Sequence, residues 1–173
     1  MKSFSSVLEP VRAEKGLYHE GGLSSYLFKL QFLMTFSYHR TVHFRDTDAA
    51  GVLYFANLLA ICHEAYEASL TAAGVDLGKF FDASETAVPI TYTQAEFLRP
   101  LRCGDQIEVS LVPGLINPSE FEMQYQVAQF KSKALAGRAL TRHVCIDVVT
   151  RKRQPLTSEL IQWLNRWCDR GLG

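Results

Sequence analysis

Residues 36–44 alternate between apolar and polar side chains, with Phe36, Tyr38, Val42 and Phe44 on one side and Ser37, His39, Thr41 and His43 on the other. This twofold period predicts a half-buried strand. A polar turn follows from Arg45 to Gly51, and the period then lengthens. Leu58, Ile61, Cys62, Ala65 and Tyr66 share one helical stripe, while Asn57, Glu64 and Glu67 lie mostly off it. Gly74 supplies a natural stop. Residues 76–85 read as a loop. Four strands are expected beyond it: one over 91–98, one through Ile107, Val109 and Leu111, one in which Phe121, Met123, Tyr125 and Val127 alternate with Glu122, Gln124 and Gln126, and one over about 136–149. Pro100 with Gly104-Asp105, then Pro113-Gly114 and Asn117-Pro118, read as the turns between them. Pro155-Leu156-Thr157 introduces a short terminal helix through Leu160, Leu164 and Trp167.

The order of strand, long helix, four strands and short helix defines an α+β chain. One amphipathic helix cannot cover both faces of a five-stranded antiparallel sheet, so the sheet is expected to curl around it. The free sheet face and the edge strands then call for a second copy, and a homo-oligomer, dimer or tetramer, is expected. The first 33 residues lack a sustained period, carry Gly21-Gly22 and Ser24-Ser25, and hold Lys29 and Gln31 within their most apolar stretch. They are expected to be a poorly ordered extension rather than a signal peptide. Met34 opens the patterned region and is a candidate start, so the domain is placed at residues 34–173.

Composition narrows the function classes. Lys plus Arg and Asp plus Glu both number 18, so no net field would hold the chain on nucleic acid or an anionic membrane. An anionic ligand must therefore be met by a local site. No apolar run approaches the length of a bilayer span. Cys62, Cys103, Cys145 and Cys168 form no C-x-x-C pair, which argues against a zinc ribbon or disulfide framework and for reduced thiols in the cytoplasm.

Candidate chemistry concentrates in the segment from Asp46 to Asn57. Two carboxylates precede a helix N-terminus, with Gly51 allowing a tight backbone path between. The unpaired N–H groups near Tyr54 and Phe55 suit a developing oxyanion, and an aspartate ionised near neutral pH can serve as nucleophile or base. Spacing alone leaves open that Asp46 and Asp48 only satisfy turn N–H groups or cap the helix.

The stretch "DTDAAGVLYFANLL", Asp46 to Leu59, resembles the opening motif of the 4-hydroxybenzoyl-CoA thioesterase family of hotdog proteins. "YFANLLAICHEAYEASL" (Tyr54 to Leu70), "CGDQIEV" (Cys103 to Val109) and "RHVCIDVVTRKRQPL" (Arg142 to Leu156) are similar to its cyanobacterial 1,4-dihydroxy-2-naphthoyl-CoA hydrolases of phylloquinone synthesis. The resemblance covers about residues 34–168. It implies a hotdog fold and thioester hydrolysis without a cofactor. The second Asp of the motif, Asp48, would be the catalytic carboxylate. The Phe55 N–H would be the oxyanion donor, with Tyr54 beside it and Gly51 fixing the approach, and Asp46 would be structural. Ala56 stands where the family often has His or Pro.

Further residues are weighed beside these. His63 and Glu64, about two turns into the helix, are candidates to read an acyl ring, or else lie on its solvated side. His63 and Glu67 have the spacing of a metal pair but no visible third ligand, so no metal is expected. Cys62 and His63 are neighbours on a helix and point about 100° apart, which excludes a shared proton. Arg99, Arg102, Arg138 and Arg151, along with Lys131, Lys133, Lys152 and Arg153, are candidates for the phosphates of CoA, against the default of solvated surface charge. The rival readings are a thioesterase for 4-hydroxybenzoyl-CoA, another aroyl-CoA or a short acyl-CoA, and a non-catalytic acyl-CoA binding module.

Overall fold

The computed structural model describes residues 35–82 and 85–168. The expected extension at residues 1–33 lies outside them. Strand β1 spans Phe36–Thr41, helix α1 Phe55–Ala72, helix α2 Leu77–Asp82, β2 Thr86–Ala87, β3 Ile90–Phe97, β4 Gln106–Asn117, β5 Glu120–Gln129, β6 Leu135–Val144, β7 Ile146–Asp147 and helix α3 Ser158–Trp167. Five strands form one antiparallel sheet in the order β1-β4-β5-β6-β3. The sheet wraps α1, which makes this the hotdog fold.

The alternating pattern explains the wrap. Ile107, Val109 and Leu111 of β4 and Phe121, Met123, Tyr125 and Val127 of β5 are buried. They meet the α1 stripe of Leu58, Ile61, Cys62, Ala65, Tyr66 and Leu70 in one core. Each fully buried Leu, Ile or Phe contributes on the order of 2 kcal/mol relative to exposure. α1 stops where expected: Ala73 is its C-cap and Gly74 follows with φ +89°. α3 closes the far end of the core. The Thr157 side chain accepts from the Leu160 N–H, Trp163 is fully buried against Tyr66 and Phe121, and its Nε1–H donates to Ser69 Oγ at 3.0 Å.

Four expectations are corrected. The first strand ends at Thr41, because Val42 leaves the ladder to exchange backbone bonds with Gly104 and Asp105. A single turn of 3-10 helix, Phe44–Asp46, follows and turns Phe44 outward, so Phe44 is exposed and does not join the half-buried Phe36 against the core. The loop at 76–85 contains α2. Pro113-Gly114 is no turn: both residues lie within β4, paired with Met123 and Glu122. Among the described residues the pairing of β1 with β4 reaches Phe36 opposite Leu111, and Pro113 is paired through β5 alone. The last strand breaks at Cys145, whose N–H donates to Ser119 O, and β7 departs into a two-stranded sheet with β2.

Candidate active site

The loop ahead of α1 is held by its own backbone. The Asp48 N–H donates to Val52 O (2.9 Å) and the Gly51 N–H to Asp48 O (3.0 Å). Asp48 Oδ1 accepts from the Ala50 N–H at 2.8 Å and, more weakly, from the Val52 N–H at 3.4 Å. Gly51 has φ +75°, and a Cβ there would meet nothing within 4 Å. Backbone conformation, not space, requires the glycine. Leu53 is pinned to the segment after β3 through its N–H on Leu101 O at 2.7 Å. One oxygen of Asp48 thus serves the loop, while Oδ2 has no partner among the described residues.

Asp46 meets different surroundings. It is buried, its carboxylate is gripped by the Arg40 guanidinium and the His43 N–H (2.7 Å), and its carbonyl accepts from the Tyr54 N–H and Asn57 Nδ2. Arg40 also donates to both oxygens of Glu64 at 2.8 Å, and the Tyr38 hydroxyl joins at 3.3 Å. Burial first, and the Glu64 charge second, hold the Tyr38 phenol above its ordinary pKa. The effect of this girdle is to lock β1, the loop and α1 together at one side of the helix.

The start of α1 is left open. Tyr54, its N-cap, makes no side-chain cap bond, the first turn carries no acidic residue, and the Phe55 N–H has no acceptor among the described residues. A cleft of about 400 Å³ opens beside it, lined by Asp48, residues 52–55 and Leu58 on one side and by residues 97–101 and Ala136 on the other. A carboxylate and an unfilled helix N-terminus therefore share one cleft. That pairing suits attack on a carbonyl whose oxygen becomes an anion, and one such donor typically contributes about 3 kcal/mol to the barrier.

The structure brings Asp48, Gly51, Tyr54 and Phe55 to this cleft or its loop, and adds Arg99 at its rim. It does not bring the other candidates there. Arg102 borders the loop through a bridge to Val52, with its N–H on Asp105 Oδ2. Arg138 pairs with Glu96 at 3.4 Å across β3 and β6. Arg151 lies in the exposed turn after β7, where its N–H donates to Asp147 O. Glu64 is taken by Arg40. His63 lines a second pocket further along α1, and it meets Glu67 at 3.5 Å with no third metal-ligating group among the described residues. Cys62 lies in the core, where burial pushes its thiol up to about 12, far from any thiolate chemistry.

Gly137 escaped the pattern reading. A Cβ there would stand 3.0 Å from Glu96 O and 3.4 Å from the Leu58 side chain. The glycine thus lets the first turn of α1 approach the sheet at the cleft. The available signal was a glycine inside a strand pattern, which marks close backbone approach.

The family model of the thioesterase-like superfamily matches residues 42–164, and the chain belongs to that superfamily. Among its relatives, it is 49% identical over 131 residues to the 1,4-dihydroxy-2-naphthoyl-CoA hydrolase of Nostoc punctiforme, covering 76% of this chain and 87% of that protein. It is 51% identical over 130 residues to the hydrolase of the same name from Gloeothece citriformis, covering 75% and 91%. The crystal structure of a 1,4-dihydroxy-2-naphthoyl-CoA thioesterase from Synechocystis superposes with a TM-score of 0.74 at 36% identity, covering 76% of this chain and 96% of that one.

Proposed function

We propose that the domain at residues 34–173 hydrolyses the thioester of 1,4-dihydroxy-2-naphthoyl-CoA to 1,4-dihydroxy-2-naphthoate and CoA, in cytoplasmic phylloquinone synthesis. The acyl-CoA thioesterase class follows from the family, and the acyl group from the relatives at about half identity. The observation that carries the mechanism is the free oxygen of Asp48 in the same cleft as the open N–H of Phe55. The thioester oxygen sits on that N–H. Asp48 either takes the proton of a water that attacks the carbonyl carbon and passes it to the departing CoA thiolate, or attacks the carbon itself. Direct attack expels the thiolate to be protonated from solvent and leaves an acyl–aspartyl anhydride that a water then hydrolyses to free acid and the restored carboxylate. Arg99, exposed at the rim, is positioned to meet a CoA phosphate. The scattered cysteines support the cytoplasmic setting; among the described residues no helix is long and apolar enough to cross a membrane.

The active form is read as a homo-oligomer built on β3. Among the described residues that strand is an edge paired with β6 alone, and Ile90, Tyr92 and Phe97 along it and Leu98 just beyond are exposed, as are Tyr54 and Phe55. An open apolar edge of this kind is suited to a twofold partner. Antiparallel pairing of two copies of β3 sets the Phe97 end of one beside the Ile90 end of the other. The cleft of one protomer then faces the second pocket of its partner, which begins at residues 86–88. This arrangement reunites His63 with Asp48 across the interface.

A steady-state panel of aroyl and aliphatic acyl-CoAs tests the reading. The highest kcat/KM is expected for 1,4-dihydroxy-2-naphthoyl-CoA; a preference for 4-hydroxybenzoyl-CoA or a short acyl-CoA reassigns the substrate. Saturable binding without thiol release makes the chain a binding module.

A further inference from the structure

The pocket along α1 holds about 230 Å³ and is walled by His63 and Tyr66 of α1, Phe80 of α2, Thr86 and Val88 around β2, and His143 near the end of β6. His143 and Tyr66 are its most unusual members. Both are buried, at 1% and 3% exposure. Their rings face each other at 5.2 Å between centroids, and the imidazole stacks flat on Phe121 at 4.7 Å. His143 Nε2 is committed to Thr141 Oγ1 at 2.9 Å, and Thr141 in turn approaches the Tyr125 hydroxyl at 3.4 Å. The imidazole is therefore fixed in place by stacking and by this chain of hydroxyls.

The other polar atoms of the pair are unsatisfied. Among the described residues, neither Tyr66 OH nor His143 Nδ1 has a hydrogen-bond partner. The Val88 backbone favours the charged imidazole to a small degree without meeting Nδ1 in hydrogen-bonding geometry, while burial, and secondarily His63, oppose that charge more strongly. The ring is thus neutral, with one nitrogen bare. Buried polar atoms are rarely left unpaired in a native core, and two of them at one aromatic pocket define the kind of ligand it suits. Such a ligand is flat, suits a pocket walled by Tyr66 and Phe80, and carries a hydroxyl able to give one hydrogen bond and take another.

We infer that Tyr66 and His143 bind a ring hydroxyl of the acyl group and so select hydroxylated aroyl thioesters over their bare counterparts. The inference rests on the thioesterase reading and on pairing across β3. A site built to bond a hydroxyl rejects the analogue lacking it, because its buried groups are then left bare.

Tyr66→Phe removes one hydroxyl and keeps the ring. The ratio of kcat/KM for 1,4-dihydroxy-2-naphthoyl-CoA to that for 2-naphthoyl-CoA is expected to fall tenfold or more. A residue with only a packing role lowers both values together, and an unchanged ratio overturns the inference. Where the variant does not fold, or the parent chain hydrolyses neither thioester so that the thioesterase reading itself fails, a second measurement on the parent decides. The full chain is titrated with 1-hydroxy-2-naphthoate while the His143 imidazole nitrogens are followed by NMR. A saturable shift at Nδ1, absent with 2-naphthoate, upholds the hydroxyl site; no shift, or the same shift with both acids, rejects it.

Discussion

Asp46 and Asp48 stand two residues apart in one loop, and their surroundings assign them opposite tasks. Asp46 is buried under Arg40, accepts from the His43 N–H, and anchors the loop to Tyr54 and Asn57 through its carbonyl. Asp48 is exposed at a cleft, gives one oxygen to its own turn and leaves the other unengaged. The difference comes from the partner across the fold and not from the residue type. Arg40 projects from β1 to meet the first acid, whereas no cation reaches the second among the described residues. A carboxylate already held by a buried guanidinium is a poor nucleophile; one beside an open helix terminus is free to act.

The largest expected effect tests the second acid. Asp48→Asn should lower kcat at least a thousandfold on the best aroyl-CoA, equivalent to about 4 kcal/mol of barrier, while the thermal midpoint stays near that of the parent. A parent-like rate breaks the assignment. Asp46→Asn should do the reverse, destabilising the fold by about 3 kcal/mol because Arg40 loses a buried partner. Denaturant titration reads that loss, and an Asp46 variant of parent stability with a thousandfold lower kcat would exchange the two roles. Acid separates the buried girdle from the buried histidine. Burial, with His63 second, pushes His143 down to about 4, so the unfolded chain binds a proton there before the folded one does. Stability from this group is complete above about pH 6.5 and falls as the pH drops toward 4, by on the order of 3 kcal/mol in all. The slope of stability against pH should flatten over that window in His143→Asn. The smallest effect belongs to Gly51→Ala, which strains a backbone at φ +75° by about 1 kcal/mol; kcat should suffer more than stability, because the same loop carries Asp48.

Those contrasts also mark where sequence reading succeeds. The strand holding Phe121, Met123, Tyr125 and Val127 and the helix stripe from Leu58 to Tyr66 were legible because each pattern is local and serves one core. Pro113-Gly114 misled because the turn rule takes no account of the distant partners, Met123 and Glu122, that hold both residues in a strand. The division at Cys145 was invisible for a related reason, since it depends on Ser119 and Gln154 lying across the fold. At the cleft, Asp48, Gly51 and Phe55 are close in sequence and could be named together. Arg40, Asp46 and Glu64 form one ion-pair cluster over 24 residues of chain, and no spacing rule announces it. His143 lies inside the matching stretch Arg142 to Leu156, but nothing in that stretch marks its role; its unpaired nitrogen in the folded chain does.

The two tryptophans of the sequence, Trp163 and Trp167, both belong to α3, and both indole N–H groups donate to Ser69, one to its hydroxyl and one to its carbonyl. Intrinsic fluorescence therefore watches a single seam, the docking of the last helix on the end of α1. Emission will report when that seam parts and stay silent about the loop of Asp48. Optical melting followed at these indoles and circular dichroism followed on the sheet are two separate clocks, and any gap between them times the release of the terminal helix.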